Sequence, residues 1–402
     1  MPLDTFNPLL VGLSGDQEII ARAEALRPVV EAHGDEIERE RRLPPALLEK
    51  LHEAKLFRML LPRSVNGLEV DPLTFAHVIE TIARGDASTA WCLSQGGGCA
   101  MAAAYLDPAV AHKIFGSDPR AVLAWGPGPR AKAVTVDGGY RVTGAWPFAS
   151  GVRHATWMGA NCPLYQSDGD PLLAPDGSHV ERTMLVPASE VLLTDIWNTI
   201  GLRGTASDQF ALDDHFVRAD HSITREFEKE CREPGTLYRL SAHVFYEVGF
   251  ASVALGIARA SLESFVELAR HKVQRGLKLP LRDNAVVQTN LAQAEAGVRS
   301  ARAYLRQTVA ETWRDVGQPG AKLTIEQRIF LRMASTYAIH QARDAVDFAY
   351  NAAGTPTVFA THPLERRFRD MHTVTQHLQG RLSHLETVGA WMLGAQTDLP
   401  FI

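Results

Sequence analysis

Three textures of apolar and polar positions follow one another along the chain. From about residue 15 to 116 the apolar residues recur at helical spacing. Asp71-Pro72 reads as a capping carboxylate followed by proline at the first helical position, and predicts a helix over Leu73 to Ile82. Asp107-Pro108 repeats the device before Ala109 to Phe115. Between them Ala87 to Leu106 is almost uniformly apolar or small, the pattern of a helix buried on nearly every side. Gly96-Gly97-Gly98 inside it weakens a helix, so either something bulky approaches closely there or the helix breaks.

From Ala121 to about Arg218 the period drops to two and turn residues multiply. Val134-Thr-Val, the turn Asp137-Gly138-Gly139 and Tyr140-Arg-Val-Thr-Gly predict a β-hairpin. Residues 164–182, rich in Asp, Gly, Pro and Ser, predict a surface excursion between strands. After about residue 236 the helical period returns in four segments near 236–273, 284–316, 324–353 and 363–396. Long segments with short connections predict an antiparallel up-down bundle. The fold class expected is therefore α+β. A helical N-terminal domain spans 1–118, a β-barrel or sandwich domain 119–232, and a four-helix bundle 233–402. Within the last segment, helical spacing sets Arg366, Asp370, Thr373, His377, Arg381 and His384 along one stripe, a charged face leading into a candidate site.

Composition narrows the function. The 402 residues are 46% hydrophobic and 22% charged with a formal net charge of -5, which suits a globular protein and argues against a nucleic-acid surface. No apolar run reads as a membrane span, and Met1-Pro2-Leu3-Asp4 lacks the pattern of a secretory signal, so cytoplasmic residence is expected. Cys92, Cys99, Cys162 and Cys231 form no CxxC pair and read as free thiols. No metal motif is present; Asp213-Asp214-His215 alternates faces along a strand and reads as a solvated end.

Gly126-Pro127-Gly128-Pro129-Arg130-Ala131 fits the GxGxxA spacing of a dinucleotide fingerprint, but a strand follows it and two prolines remove amide donors, so it is rejected. The segment Tyr140 to Trp157 carries Trp146, Phe148 and Trp157 around Ser150-Gly151. It is either an aromatic core edge closed by a turn or a flat wall on which a planar heterocycle stacks beside the Ser150 hydroxyl. The loop from Thr199 to Asp208 brings Thr205 and Ser207 hydroxyls, a plain turn or a cradle for a polar ring edge.

Gly201-Leu-Arg-Gly-Thr-Ala-Ser, Gln288-Thr-Asn-Leu-Ala, Met333-Ala-Ser-Thr, Ala353-Gly354 and Pro363-Leu-Glu-Arg-Arg-Phe-Arg-Asp together resemble the acyl-CoA dehydrogenase superfamily along the whole chain. Many dehydrogenases of that superfamily follow the Arg-Asp with Tyr-Glu-Gly, whose Glu removes a proton. The corresponding residues here are His377 and Leu378, and leucine cannot accept a proton. The Arg-Asp-x6-His pattern and Trp146-x3-Ser150-Gly151 are instead similar to the flavin-dependent monooxygenase branch. Where several of its members carry a His on the buried N-terminal helix, this chain has Gly96 to Gly98, which implies a wider or less polar pocket.

The resemblance implies the oxygenase component of a two-component system. It would take reduced FMN or FAD from a separate reductase, react with O2 to a C4a-hydroperoxyflavin, and hydroxylate a small aromatic or heteroaromatic substrate. By the same resemblance Ser150 and His377 carry the catalysis, Ser150 near flavin N5 and His377 as a base or a support for the hydroperoxide. Trp125, Gly126, Trp146, Ser150, Thr205 and Ser207 contact the cofactor, Arg275 (with Arg282 as rival) holds its phosphate, and Gly354 lines it from an adjacent subunit of a homotetramer. An acyl-CoA dehydrogenase or oxidase with a displaced base, and a non-catalytic binding protein on this fold, are the alternatives.

Overall fold

Asp16 opens the first helix by accepting the N–H groups of Glu18 and Ile19, and the same capping chemistry recurs through the N-terminal third. The structure, a computed structural model, describes residues 16–224, 230–276 and 278–395. Helices α1 (Gln17–Ala32), α2 (Gly34–Glu40), α3 (Pro45–Glu53), α4 (Pro72–Gly85), α5 (Ala87–Ala100) and α6 (Pro108–Ala111) come first. The Asp71 carboxylate accepts from the N–H groups of Leu73 and Thr74, and Asp86 caps α5 through Thr89 N at 2.7 Å. Helix α5 runs unbroken through its three glycines because neighbours press on them. A Cβ at Gly98 would lie 2.4 Å from the Tyr246 ring, and one at Gly97 would lie 3.1 Å from Phe75.

The sheet follows: β1 (Leu123–Gly126), β2 (Lys132–Val136), β3 (Gly139–Ala149), β4 (Trp157–Tyr165), β5 (Glu181–Pro187), β6 (Leu192–Thr194), β7 (Asp208–Arg218) and β8 (Ser222–Ile223). Its order is β6-β7-β3-β2-β4-β5-β8, with β1 added parallel to β4. The hairpin forms as predicted, Val136 pairing with Gly139 across the turn. Residues after Gly126 lead into β2 with no helix, so no dinucleotide fold forms there.

The C-terminal bundle contains α7 (Ala242–His271), α8 (Ala285–Val316), α9 (Ile325–Ala353), α10 (Pro363–Val374) and α11 (Ser383–Met392). Helix α7 is long and apolar enough to cross a membrane, but most of that surface is buried inside the protein. Ion pairs are buried with it, Arg259 to Glu295 at 2.9 Å and Arg332 to Glu247 at 2.5 Å. The fourth segment departs from the expected single helix. Helix α10 ends at Val374, a tight turn occupies Leu378–Gly380, and α11 starts afresh at Ser383.

Polar partners around that turn outweigh continuation of the helix. His377 Nδ1 accepts the Gln379 N–H at 3.3 Å, the His384 ring binds Leu378 O at 2.7 Å, and Arg332 donates to Gln379 Oε1. The predicted stripe is thereby cut. Arg366, Asp370 and Thr373 stay on α10, whereas His377 and Arg381 flank the turn.

Candidate active site

The site is built where α5 meets the start of α7, the loop before β7 and the break after α10. Trp91 of α5 stacks on Phe250 of α7 with centroids 4.0 Å apart. The His377 ring stands edge-on to both, 5.0 Å from Trp91 and 4.7 Å from Phe250. From the other side of this cluster the Trp91 indole N–H donates to Ser150 Oγ at 3.0 Å. Ser150 Oγ lies 2.7 Å from Ser207 Oγ, and that lies 2.7 Å from Thr205 Oγ1, which donates to Leu202 O at 2.9 Å. Ser150, Thr205, Ser207 and His377, spread over 228 positions of sequence, thus converge through Trp91. Sequence reading missed Trp91 and Phe250. Two aromatic residues on adjacent apolar helices were the available signal, and they read equally well as core.

The two ends of the hydroxyl row fix its direction. A carbonyl only accepts and an indole N–H only donates. Thr205 therefore gives its proton to Leu202 O, Ser207 gives its own to Thr205, and Ser150 gives its own to Ser207. Ser150 Oγ then accepts from Trp91 and keeps one lone pair. The row is buried, Thr205 at 0% and Ser150 at 8% exposure, so its order is not scrambled by water. Leu202 itself is anchored: its N–H meets Asp370 Oδ1 at 2.6 Å, and its carbonyl also receives the Trp197 indole N–H at 2.9 Å. Burial, reinforced by the Asp86 carboxylate, pushes the Asp370 carboxyl up to about 7.

His377 is partly accessible. Burial, helped by Arg381 and Arg332, pushes its imidazole down to about 4, so it is neutral at neutral pH. With Nδ1 occupied as an acceptor of the Gln379 N–H, the proton sits on Nε2, which has no partner among the described residues. His377 is therefore a hydrogen-bond donor, which favours the supporting role over the base. His384, by contrast, braces the turn through Leu378 O.

Other expected cofactor residues fare differently. Trp146 is fully buried, stacked on Phe210 with centroids 4.9 Å apart, its indole N–H donated to Asn161 O at 3.0 Å. A Cβ on Gly128 would lie 2.2 Å from its ring nitrogen. Trp146 has no face left for a flavin and is a core residue of the β domain. Trp125 is buried against Gly159, and Gly126 sits so close to Pro147 O that a Cβ would lie 2.1 Å away. Arg275 and Arg282 are exposed beyond the C-terminal end of α7. Gly354 ends α9 at a positive φ beside Lys272, which donates to Ala353 O. The 22 residues from Phe250 to His271 make roughly 30 Å of helix. Within one chain, Arg275 and Gly354 do not join the Ser150 cluster.

A reduced flavin fits the donor set. Its N5 carries an N–H, and Ser150 Oγ has one acceptor position for it; the bare N5 of oxidised flavin would find no donor there. Comparison with known proteins agrees. The acyl-CoA dehydrogenase N-terminal domain model matches residues 19–111 and the C-terminal domain model residues 248–381. Indole-3-acetate monooxygenase of Pseudomonas putida is 29% identical, covering 90% of this chain and 90% of its own. The oxygenase subunit of a flavin-dependent monooxygenase from Rhodococcus jostii is 26% identical, over 89% and 93%. The structure of XiaF from Streptomyces sp., solved with FADH2 and glycerol, superposes with a TM-score of 0.88 at 26% identity, over 96% and 97%. On fold, motifs and these matches, the chain belongs to the acyl-CoA dehydrogenase superfamily.

Proposed function

We propose that the chain is the oxygenase component of a two-component monooxygenase, taking reduced FMN or FAD from a separate reductase and placing one atom of O2 on a small aromatic or heteroaromatic substrate. The other atom leaves as water. The observation that carries this reading is the ordered row from Trp91 through Ser150, Ser207 and Thr205 to Leu202, facing a neutral His377. The relatives named above, an indole-3-acetate monooxygenase and an oxygenase subunit, support it.

Bound reduced flavin supplies the two electrons that activate dioxygen. Ser150 Oγ accepts the N5 proton's hydrogen bond and holds that proton in place. His377 donates from Nε2 to an oxygen atom on the substrate side. The stacked rings of Trp91 and Phe250 keep water away from the Ser150 and His377 side chains, which suppresses loss of oxygen as hydrogen peroxide. Asp370 keeps Leu202, and with it the whole row, in register with α10.

A dehydrogenase with a displaced base is disfavoured by the same geometry. Leu378 stands where the usual carboxylate would be, and Glu247, one residue from Tyr246 on α7, is bound to Arg332 at 2.5 Å. Arg275 and Gly354 are read as serving the flavin of a neighbouring copy in a homotetramer acting in the cytoplasm, since each lies at the far end of α7 from its own Ser150. With the chain divided at 1–118, 119–232 and 233–402, the flavin is read as lying where the three parts meet, beside Trp91, Ser150 and His377.

The test is product analysis with isotopically labelled dioxygen, photoreduced flavin and a panel of phenols and indoles. One labelled oxygen atom in a hydroxylated product is the expected result. Peroxide alone with every substrate, or flavin reduction by an acyl thioester, would reject the reading.

A further inference from the structure

Helix α5 is buried at every position except Gln95. At 3.6 residues per turn successive side chains swing by about 100°, so its neighbours can be placed round the axis. Trp91 and Gly98 face α7, through Phe250 and Tyr246. Cys92 faces the loop before β7, its Sγ 3.9 Å from Thr205 O. Gly97 faces Phe75 of α4, and Gly96 faces Phe57 and Val122. Gln95 falls in the sector between Trp91 and Cys92, one turn beyond the Trp91–Ser150 contact. Its exposed part therefore faces the junction of α5, α7 and the loop before β7, with the His377 ring at the Trp91 end.

Trp91, Phe250, Tyr246 and His377 carry aromatic rings on that side of α5, and Gln95 brings an amide beside them. Its Nε2 donates to Cys99 Sγ at 3.7 Å, which in turn lies 3.6 Å from the Tyr246 hydroxyl. Oε1 has no partner among the described residues. A half-buried amide oxygen gains most when a ligand brings the missing donor.

We propose that Gln95 Oε1 accepts a hydrogen bond from the substrate, so that the substrate is a planar aromatic molecule carrying an O–H or N–H on the edge away from His377. The word substrate rests on the monooxygenase reading; the Gln95 Oε1 acceptor and its need of a donor do not. Gln95 is then the residue that sets specificity.

Equilibrium dialysis under anaerobic conditions, with and without photoreduced flavin, measures the binding of indole and of benzofuran. These two share a shape and differ in the N–H. Wild type should bind indole about tenfold more tightly, the worth of one hydrogen bond in a dry site. Gln95→Met, similar in length but without the acceptor, should bring the ratio near one by weakening indole alone, and Gln95→Leu should do the same. A wild-type ratio near one, or a ratio unchanged in both variants, overturns the proposal. So does loss of both probes from both variants, which would make Gln95 a shaping residue only. No oxygen chemistry enters the readout, so failure here is distinct from failure of the monooxygenase reading.

Discussion

Trp91 donates its indole N–H to Ser150 Oγ at 3.0 Å, at the end of a hydroxyl row whose direction is set from the Leu202 carbonyl. Ser150 is left an acceptor, matched to reduced flavin and mismatched to oxidised flavin. Ser207→Ala frees the Ser150 proton to turn outward and should tighten oxidised flavin severalfold, by about one hydrogen bond. Ser150→Ala should weaken reduced flavin by a similar factor and leave oxidised flavin unchanged. Anaerobic and aerobic titrations of flavin fluorescence read both ratios; equal effects of the two variants on the two redox states would refute the ordered row.

His377→Ala should lose product by about 10²–10³-fold, the usual cost of one donor to a developing oxygen charge, while reduced flavin still binds. Its imidazole is held near 4 instead of 6.5, so the rate should show no inflection near 6.5. For stability the sign is that of a depressed histidine. The cost appears as pH falls below about 6.5 and grows down to about 4, and His377→Gln should flatten that slope. A rate profile that inflects with histidine near neutrality would return His377 to the role of a base.

Asp370 has the opposite linkage. Its carboxyl is pushed up from 3.8 to about 7, so the folded state loses stability as pH rises from about 4 through 7 and is level above that. Asp370→Asn keeps an acceptor for the Leu202 N–H and removes the titration. Urea denaturation at a mildly acidic and a mildly alkaline pH should show the wild type losing ground to the variant at the higher pH; parallel stabilities would refute it.

Trp146→Phe should leave flavin affinity unchanged. It opens space beside Phe210 and strips Asn161 O of its donor, at a cost of about 2–3 kcal/mol in unfolding free energy. Weaker flavin binding at preserved stability would restore Trp146 to the cofactor site.

The three textures were legible because each repeats a period over many residues, and the caps at Asp71 and Asp107 were legible because they act within three residues. Ser150, Ser207 and Thr205 were visible as hydroxyls on turn-rich segments, but their row exists only once β3, β7 and α5 are packed. Trp91 and Phe250 carried no local mark that separates a site from a core. Trp146 failed for the converse reason, since a tryptophan four residues before a serine does not show which face it occupies when the strand register shifts between Trp146 and Ala149. The break after Val374 was hidden because the residues that stabilise it, Arg332 and His384, lie elsewhere in the chain or beyond the turn.

The most direct measurement is rapid mixing of the anaerobic protein, loaded with photoreduced FMN or FAD, against oxygenated buffer while the flavin spectrum is followed. A transient that persists for many seconds before oxidised flavin appears, and that is shortened by Ser150→Ala, is the expected result. Immediate appearance of oxidised flavin with stoichiometric hydrogen peroxide, the same in wild type and Ser150→Ala, would contradict it.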